Sequence, residues 1–335
     1  MNRFLVSAIP LLVLNLFNAT AFGAVKIEPL PQLQIDASRI TVSGVSSGGF
    51  MAVQVHVANS ALFKGAASVA GGIWECAKGD SGRSQSVCMT SPQGIVTKDH
   101  VDLAYERAKR GEIDDLSNLK TSRVAIFSSP KDLIIKELGS EKLEEFYSEF
   151  MPKTSITRLT NPNAAHGFPT LGYGSACSMM GPPWILNCGD DVAGKILAAV
   201  EPLPRVLQAR GTQDLSSVTY FDQKPLATGA RMYDWGAVYV PKSCRSEGRR
   251  CGVHVALHGC QMNPDFIQSK FIENAGYNEW AETNDLIVVY PQSAKSTGNP
   301  YACWDWFGYT GSNYTTKAAA QIEAIRNILS HIGVP

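Results

Sequence analysis

Short apolar runs alternate along the chain with longer stretches in which apolar residues recur at helical spacing. Residues 40–45, 66–70, 123–128 (RVAIFS), 253–257 and 286–290 (LIVVY) read as strands, 66–70 as a short buried one. Residues 48–58 and 141–150 read as helices. So do 100–112, with Val101, Leu103, Ala104 and Ala108 on one face, and 315–331, with Ala319, Ile322, Ile325 and Ile328 on one face. The segment 218–240 reads as paired strands. No repeat, low-complexity tract or linker interrupts the alternation, which predicts one α/β domain over 24–335 with a central, mostly parallel sheet flanked by helices.

Composition narrows the partners. The 335 residues are 44% hydrophobic and 18% charged, a globular mixture, and 30 bases balance 30 acids. Zero net charge removes the electrostatic case for nucleic acid, which needs a basic surplus or stripe. The first residues combine a positive start (Arg3), an apolar stretch over 4–17, and small residues at Ala19-Thr20-Ala21 or Ala21-Phe22-Gly23. That is the layout of a secretory signal peptide over 1–23, too short to serve as a membrane anchor. The protein is therefore expected outside the cytoplasm, extracellular or periplasmic. Secretion makes disulfides the default for Cys76, Cys88, Cys177, Cys188, Cys244, Cys251, Cys260 and Cys303. Sequence leaves the connectivity open; the spacing favours Cys76–Cys88, Cys177–Cys188, Cys244–Cys251 and a longer Cys260–Cys303. A zinc site would need paired ligands such as C-x-x-C, and none occurs, so no metal is expected.

The chemistry concentrates at Gly44-Val45-Ser46-Ser47-Gly48, a G-x-S-x-G placed where a strand turns into a helix. A nucleophile elbow strains its serine backbone and crowds the positions two residues away, which is why glycines flank it. A serine hydroxyl needs a base and an acid that orients it, in the chain order Ser, Asp, His for this architecture. Asp132 follows the strand 123–128 in Ser-Ser-Pro-Lys-Asp, and His166 lies in Asn163-Ala164-Ala165-His166-Gly167-Phe168 after the strand-like 156–159. Ser46 is thus the candidate nucleophile, His166 the base and Asp132 its orienting carboxylate. The Ser47 backbone N–H supplies one oxyanion donor.

A second donor ordinarily comes from a His-Gly loop upstream of the nucleophile. Nothing upstream fits, whereas the strand 253–257 ends in His258-Gly259-Cys260, some two hundred residues downstream. The parts are those of a hydrolase with its first portion moved behind the rest, a circular permutation.

GVSSGGFMA (44–52), the Asp132 loop, NAAHGF (163–168), ALHGC (256–260), VVYPQS (288–293) and CWDWFGY (303–309) together resemble the secreted poly(3-hydroxybutyrate) depolymerases with a circularly permuted catalytic domain. The resemblance implies a circularly permuted α/β-hydrolase fold with disulfide-stapled loops, and Ser46, Asp132 and His166 as catalytic residues. It also implies the Ser47 and Cys260 backbone amides as oxyanion donors, and cofactor-free hydrolysis of a short-chain polyhydroxyalkanoate by a monomer. Many such enzymes carry a linker and a polymer-binding domain; none is legible here, which implies weak adsorption to solid polymer. An apolar polyester calls for aromatics around a crevice. Trp304 and Trp306 are the first candidates, with Trp74 and Trp184 behind them. A secreted feruloyl or acetyl esterase acting on plant polysaccharide would use the same elbow and loop, and a non-catalytic hydrolase-fold binding protein is the remaining alternative.

Overall fold

The computed structural model describes residues 25–335, so the leader expected over 1–23 lies outside the described residues. Eleven strands occur among them: β1 (Ile35–Val45), β2 (Gly65–Val69), β3 (Arg123–Ser128), β4 (Ile156–Thr160), β5 (Phe168–Thr170), β6 (Ser175–Ala176), β7 (Ile185–Asn187), β8 (Val218–Asp222), β9 (Trp235–Tyr239), β10 (Cys251–Leu257) and β11 (Leu286–Tyr290). Eight form one sheet in the order β4-β3-β2-β1-β10-β11-β9-β8, parallel except that β9 runs against both neighbours.

The two-residue period of the strands divides the core in two. Ile40, Val42, Val124, Ile126, Val253, Val255, Leu257, Ile287 and Val289 face one layer. There they meet apolar faces of the helices Ser47–Ala58, Thr97–Lys109, Glu137–Ser148 and Ala320–His331. The intervening Val45, Ala67, Val69, Ala125, Phe127, Ala256, Val288 and Tyr290 face the second layer, against Val192–Val200 and the short helices between Pro264 and Asn284. Burial on both faces explains why these strands read as continuous apolar runs rather than alternating ones.

Chain order and sheet order disagree in an informative way. The chain enters at the centre with β1, steps outward through β2, β3 and β4, crosses to the far edge at β8, and returns to pair β10 with β1. Counting from β8 instead, the spatial order becomes 1-2-4-3-5-6-7-8 with an antiparallel second strand, which is the α/β-hydrolase arrangement. The permutation expected from the motif order is the one observed. Its seam is visible where Leu33 N–H donates to Ile332 O at 2.9 Å, joining the approach to β1 to the end of the last helix. That proximity lets a chain be reconnected without disturbing the sheet. The replacement connection leaves the helix Val192–Val200 at Glu201, whose buried carboxylate accepts from Arg39 Nε on β1. Arg39 Nη1 and Nη2 donate onward to Asp285 O and Asn284 O, each at 3.2 Å.

All eight cysteines pair as the spacing favoured: Cys76–Cys88, Cys177–Cys188, Cys244–Cys251 and Cys260–Cys303. No helix among the described residues is long and apolar enough to cross a membrane. One expectation needs correction and one element has no signal in the sequence. The last helix begins at Ala320, not at 315, because Thr315 and Thr316 are held by tertiary and turn contacts: Thr315 Oγ1 donates to Glu75 Oε2 at 2.6 Å and Thr316 Oγ1 to Asn313 O at 2.9 Å. The small parallel sheet β5-β7-β6 was not anticipated. In that order its strands have three, three and two residues, too short for a periodic signal.

Glu201→Ala leaves the Arg39 guanidinium buried without its carboxylate, and is expected to destabilise the fold by roughly 3–5 kcal/mol. Arg39→Met combined with Glu201→Leu should recover most of that loss in urea denaturation.

Candidate active site

β1 delivers the elbow. Ser46 sits at φ 56°, a left-handed conformation rare for serine, directly before the helix that starts at Ser47. Its N–H donates to Val69 O on β2 at 2.8 Å, and its carbonyl accepts the helical N–H of Phe50 at 3.1 Å. A Cβ added at Gly44 would lie 2.2 Å from Gly48 O, and one added at Gly48 would lie 2.3 Å from His258 O on the loop after β10. The two glycines of G-x-S-x-G are therefore demanded by different neighbours, one by the elbow itself and one by the loop beside it.

Ser46 Oγ lies 2.9 Å from His166 Nε2, and His166 Nδ1 lies 2.8 Å from Asp132 Oδ2. Asp132 Oδ1 accepts the N–H groups of Ile134 and Ile135, each at 2.9 Å. One carboxylate oxygen is thus fixed by the backbone while the other faces the imidazole. Since a carboxylate accepts, Nδ1 carries the proton, and bare Nε2 receives the Ser46 hydroxyl. Asp132 and His166 are buried, which keeps bulk water from competing for these bonds. Their loops are joined directly: Ser129 Oγ donates to Ala164 O at 2.6 Å. The small sheet holds the other side of the His166 loop, through Ala165 N–H to Cys177 O and Phe168 N–H to Trp184 O, both 2.8 Å. Three further histidines (His56, His100 and His254) are buried away from Ser46, and a fourth, His258, is buried on the loop beside it; burial pushes all four down to about 3 or 4, so they stay neutral.

A Cβ at Gly259 would come within 3.3 Å of the Ser46 Cβ, so the loop after β10 rests on the elbow. Among the described residues neither the Ser47 nor the Cys260 N–H has a hydrogen-bond acceptor. The Cys260–Cys303 bridge ties this loop to 303–306, and Trp304 N–H donates to Ser47 Oγ at 3.3 Å. A cleft of about 880 Å³ opens over Ser46 and His166, with Trp184, Ile134, Tyr301 and Trp306 in its walls. A serine hydrogen-bonded to a base, with unpaired N–H groups on the next residue and on the adjoining loop and a mostly apolar cleft above it, can carry out acyl transfer on an uncharged ester or amide.

The aromatic expectations separate. Trp306 lines the cleft, stacked on Phe50 with ring centroids 4.2 Å apart. Trp304 does not: it is fully buried and packs against His258, so its assignment to substrate is corrected to core. On an extended segment these two side chains would share a face; here the backbone turns tightly between them, Trp306 N–H donating to Trp304 O at 3.0 Å, and only one of the pair faces the cleft. Trp74 is core as well, beside Phe146. Trp184, ranked low from sequence, lines the cleft edge-on to His166 at 6.0 Å and donates from Nε1 to Gln261 Oε1 at 3.1 Å. Its signal was its place in the Cys177–Cys188 loop immediately after His166. Tyr301 and Gln261 carried no sequence signal.

The chain is 40% identical over 307 residues to the poly(3-hydroxybutyrate) depolymerase of Delftia acidovorans, covering 90% of this chain and 61% of that protein. It is 33% identical over 323 residues to the polyhydroxybutyrate depolymerase of Talaromyces funiculosus, covering 91% of this chain and 93% of that protein. Among solved structures, a PHB depolymerase from Penicillium funiculosum matches with a TM-score of 0.84 at 32% identity, over 92% of this chain and 99% of that one. A PHB depolymerase variant complexed with an R3HB trimer matches with a TM-score of 0.85 at 31% identity, over the same shares. No family model matches the chain.

Gly48→Ala is expected to lower stability by roughly 3 kcal/mol, because the β10 loop must back away from the elbow helix. Urea denaturation of the purified variant checks this, and a shift below about 0.5 kcal/mol would contradict the close approach.

Proposed function

The chain belongs to the poly(3-hydroxybutyrate) depolymerase family, and on that premise we propose that it is a secreted serine esterase that hydrolyses poly(3-hydroxybutyrate) or a related short-chain polyhydroxyalkanoate to soluble hydroxyacid oligomers and monomers. The observation that carries the proposal is the hydrogen-bonded line Ser46–His166–Asp132 at the floor of a mostly apolar cleft.

In this reading Ser46 Oγ attacks the ester carbonyl while His166 Nε2 takes its proton. The Ser47 and Cys260 N–H groups receive the developing oxyanion. His166 then returns the proton to the departing hydroxyl end of the chain, leaving an acyl group on Ser46. A water molecule, deprotonated by the same imidazole, releases it. Asp132 holds the tautomer and balances the imidazolium. A neutral polyester gives no charge to steer by, which suits a protein with 30 bases and 30 acids and a cleft walled by Ile134, Trp184, Tyr301 and Trp306. Residues 1–23 would direct export, and four disulfides suit an oxidising compartment. The catalytic unit would be the single domain 24–335, acting as a monomer. Because the chain spans 61% of the Delftia protein, any function of that protein's remaining length is outside the proposal.

The test compares clearing of a poly(3-hydroxybutyrate) suspension with release of ferulate or acetate from plant polysaccharide. Clearing by the wild type, reduced at least about 10⁴-fold by Ser46→Ala with the fold intact, is expected. Fast ferulate release without clearing would overturn the substrate assignment.

A further inference from the structure

We propose that His258 is a positioning residue which aims the Cys260 N–H at the oxyanion by holding the carbonyl at the other end of the same peptide unit. The inference rests on the hydrolase reading of Ser46 and adds a residue to its machinery.

The peptide linking Gly259 to Cys260 is planar, with the Gly259 carbonyl and the Cys260 N–H at opposite ends. Fixing the direction of the carbonyl therefore fixes the direction of the N–H. His258 Nδ1 lies 2.7 Å from Gly259 O. A carbonyl oxygen can only accept, so Nδ1 carries a proton. On the far side of the ring the Ser293 backbone N–H points at Nε2 from 3.2 Å. An amide N–H can only donate, so Nε2 is bare. The two neighbours select one neutral tautomer between them, with its single proton committed to Gly259 O. Burial, which pushes His258 down to about 4, keeps a second proton off the ring at neutral pH.

The clamp is itself braced. Ser293 follows β11, and its Oγ donates to Ala302 O at 2.6 Å, just before the cysteine that bridges to Cys260. The Trp304 ring packs beside the imidazole with centroids 5.5 Å apart. The flanking amides are occupied elsewhere: Gly259 N–H meets Met262 Sδ at 3.3 Å, and Gln261 N–H donates to Tyr301 O at 2.7 Å. Cys260 N–H, between them, has no acceptor among the described residues. A core histidine kept only for packing would not need its proton on one particular nitrogen.

That difference supplies the test. Asparagine can place an amide donor near the Nδ1 position, whereas glutamine reaches the Nε2 position and leaves Gly259 O without its donor. With p-nitrophenyl butyrate, His258→Gln is expected to lower kcat roughly 10- to 100-fold, part of the loss seen when an oxyanion donor is removed outright. Its KM should stay within about twofold, since the donor acts in the transition state and not on bound substrate. His258→Asn should recover most of the rate. Inhibition by phenylboronic acid, whose tetrahedral adduct on Ser46 presents an oxygen to the same N–H groups, should weaken in Gln and be largely regained in Asn. Variants are compared after circular dichroism and thermal melts show folded protein. A Gln variant as fast as Asn, or a loss carried by KM alone, would overturn the role of His258. Wild-type protein that releases no nitrophenol would instead overturn the Ser46 reading.

Discussion

The strained serine at the end of β1 is the constraint on which the rest of the molecule depends. Holding Ser46 at φ 56° requires a strand that stops abruptly, a helix that starts at once, and a neighbouring chain packed close enough to prevent relaxation. β2 supplies a backbone acceptor for Ser46 N–H, and the loop after β10 presses its carbonyls onto Gly48. Because the same loop carries Cys260, the contact that enforces the elbow also brings the second candidate oxyanion donor to it. Strain and preorganisation here are two consequences of one close approach.

That approach joins segments about two hundred residues apart, and the permutation shows why sequence distance does not matter to it. β1 and β10 are neighbours because their hydrogen-bond edges and apolar faces match on both sides of the sheet. Cutting the chain ahead of β1 and reconnecting it between Val200 and β8 leaves every pairing in place. What it alters is local: a free seam at Leu33 and Ile332, and a new connection whose first residue, Glu201, is buried against Arg39. An ion pair at that point anchors the rerouted backbone to the central strand.

The aromatic segment after Cys303 shows where local reasoning ends. Trp304 and Trp306 are two residues apart in one motif, yet one is sealed behind His258 and the other lines the cleft against Phe50. Trp184 reaches the same cleft from a disulfide loop with no pattern of its own. Exposure of a loop side chain is set by what packs on it from elsewhere, and composition is silent about that. The early start assigned to the last helix failed for a related reason. Thr315 has a tertiary partner in Glu75, and that bond outweighs the helical periodicity of the residues that follow.

By itself the sequence determined whatever depends on neighbours along the chain. The short apolar runs specified strands, the glycines of G-x-S-x-G specified the elbow, and the order of Ser46, Asp132, His166 and the displaced His-Gly specified a permuted hydrolase. Short spacings also limited the cysteine pairs, since close cysteines close small loops. The tertiary structure decided how separated loops face one another: the Ser129–Ala164 bond joining the Asp132 and His166 loops, the tryptophans admitted to the cleft, and the tautomer of His258. Periodicity records which face of an element is dry. Donor direction and cleft exposure depend on groups brought together only when the sheet closes, so only the folded chain holds them.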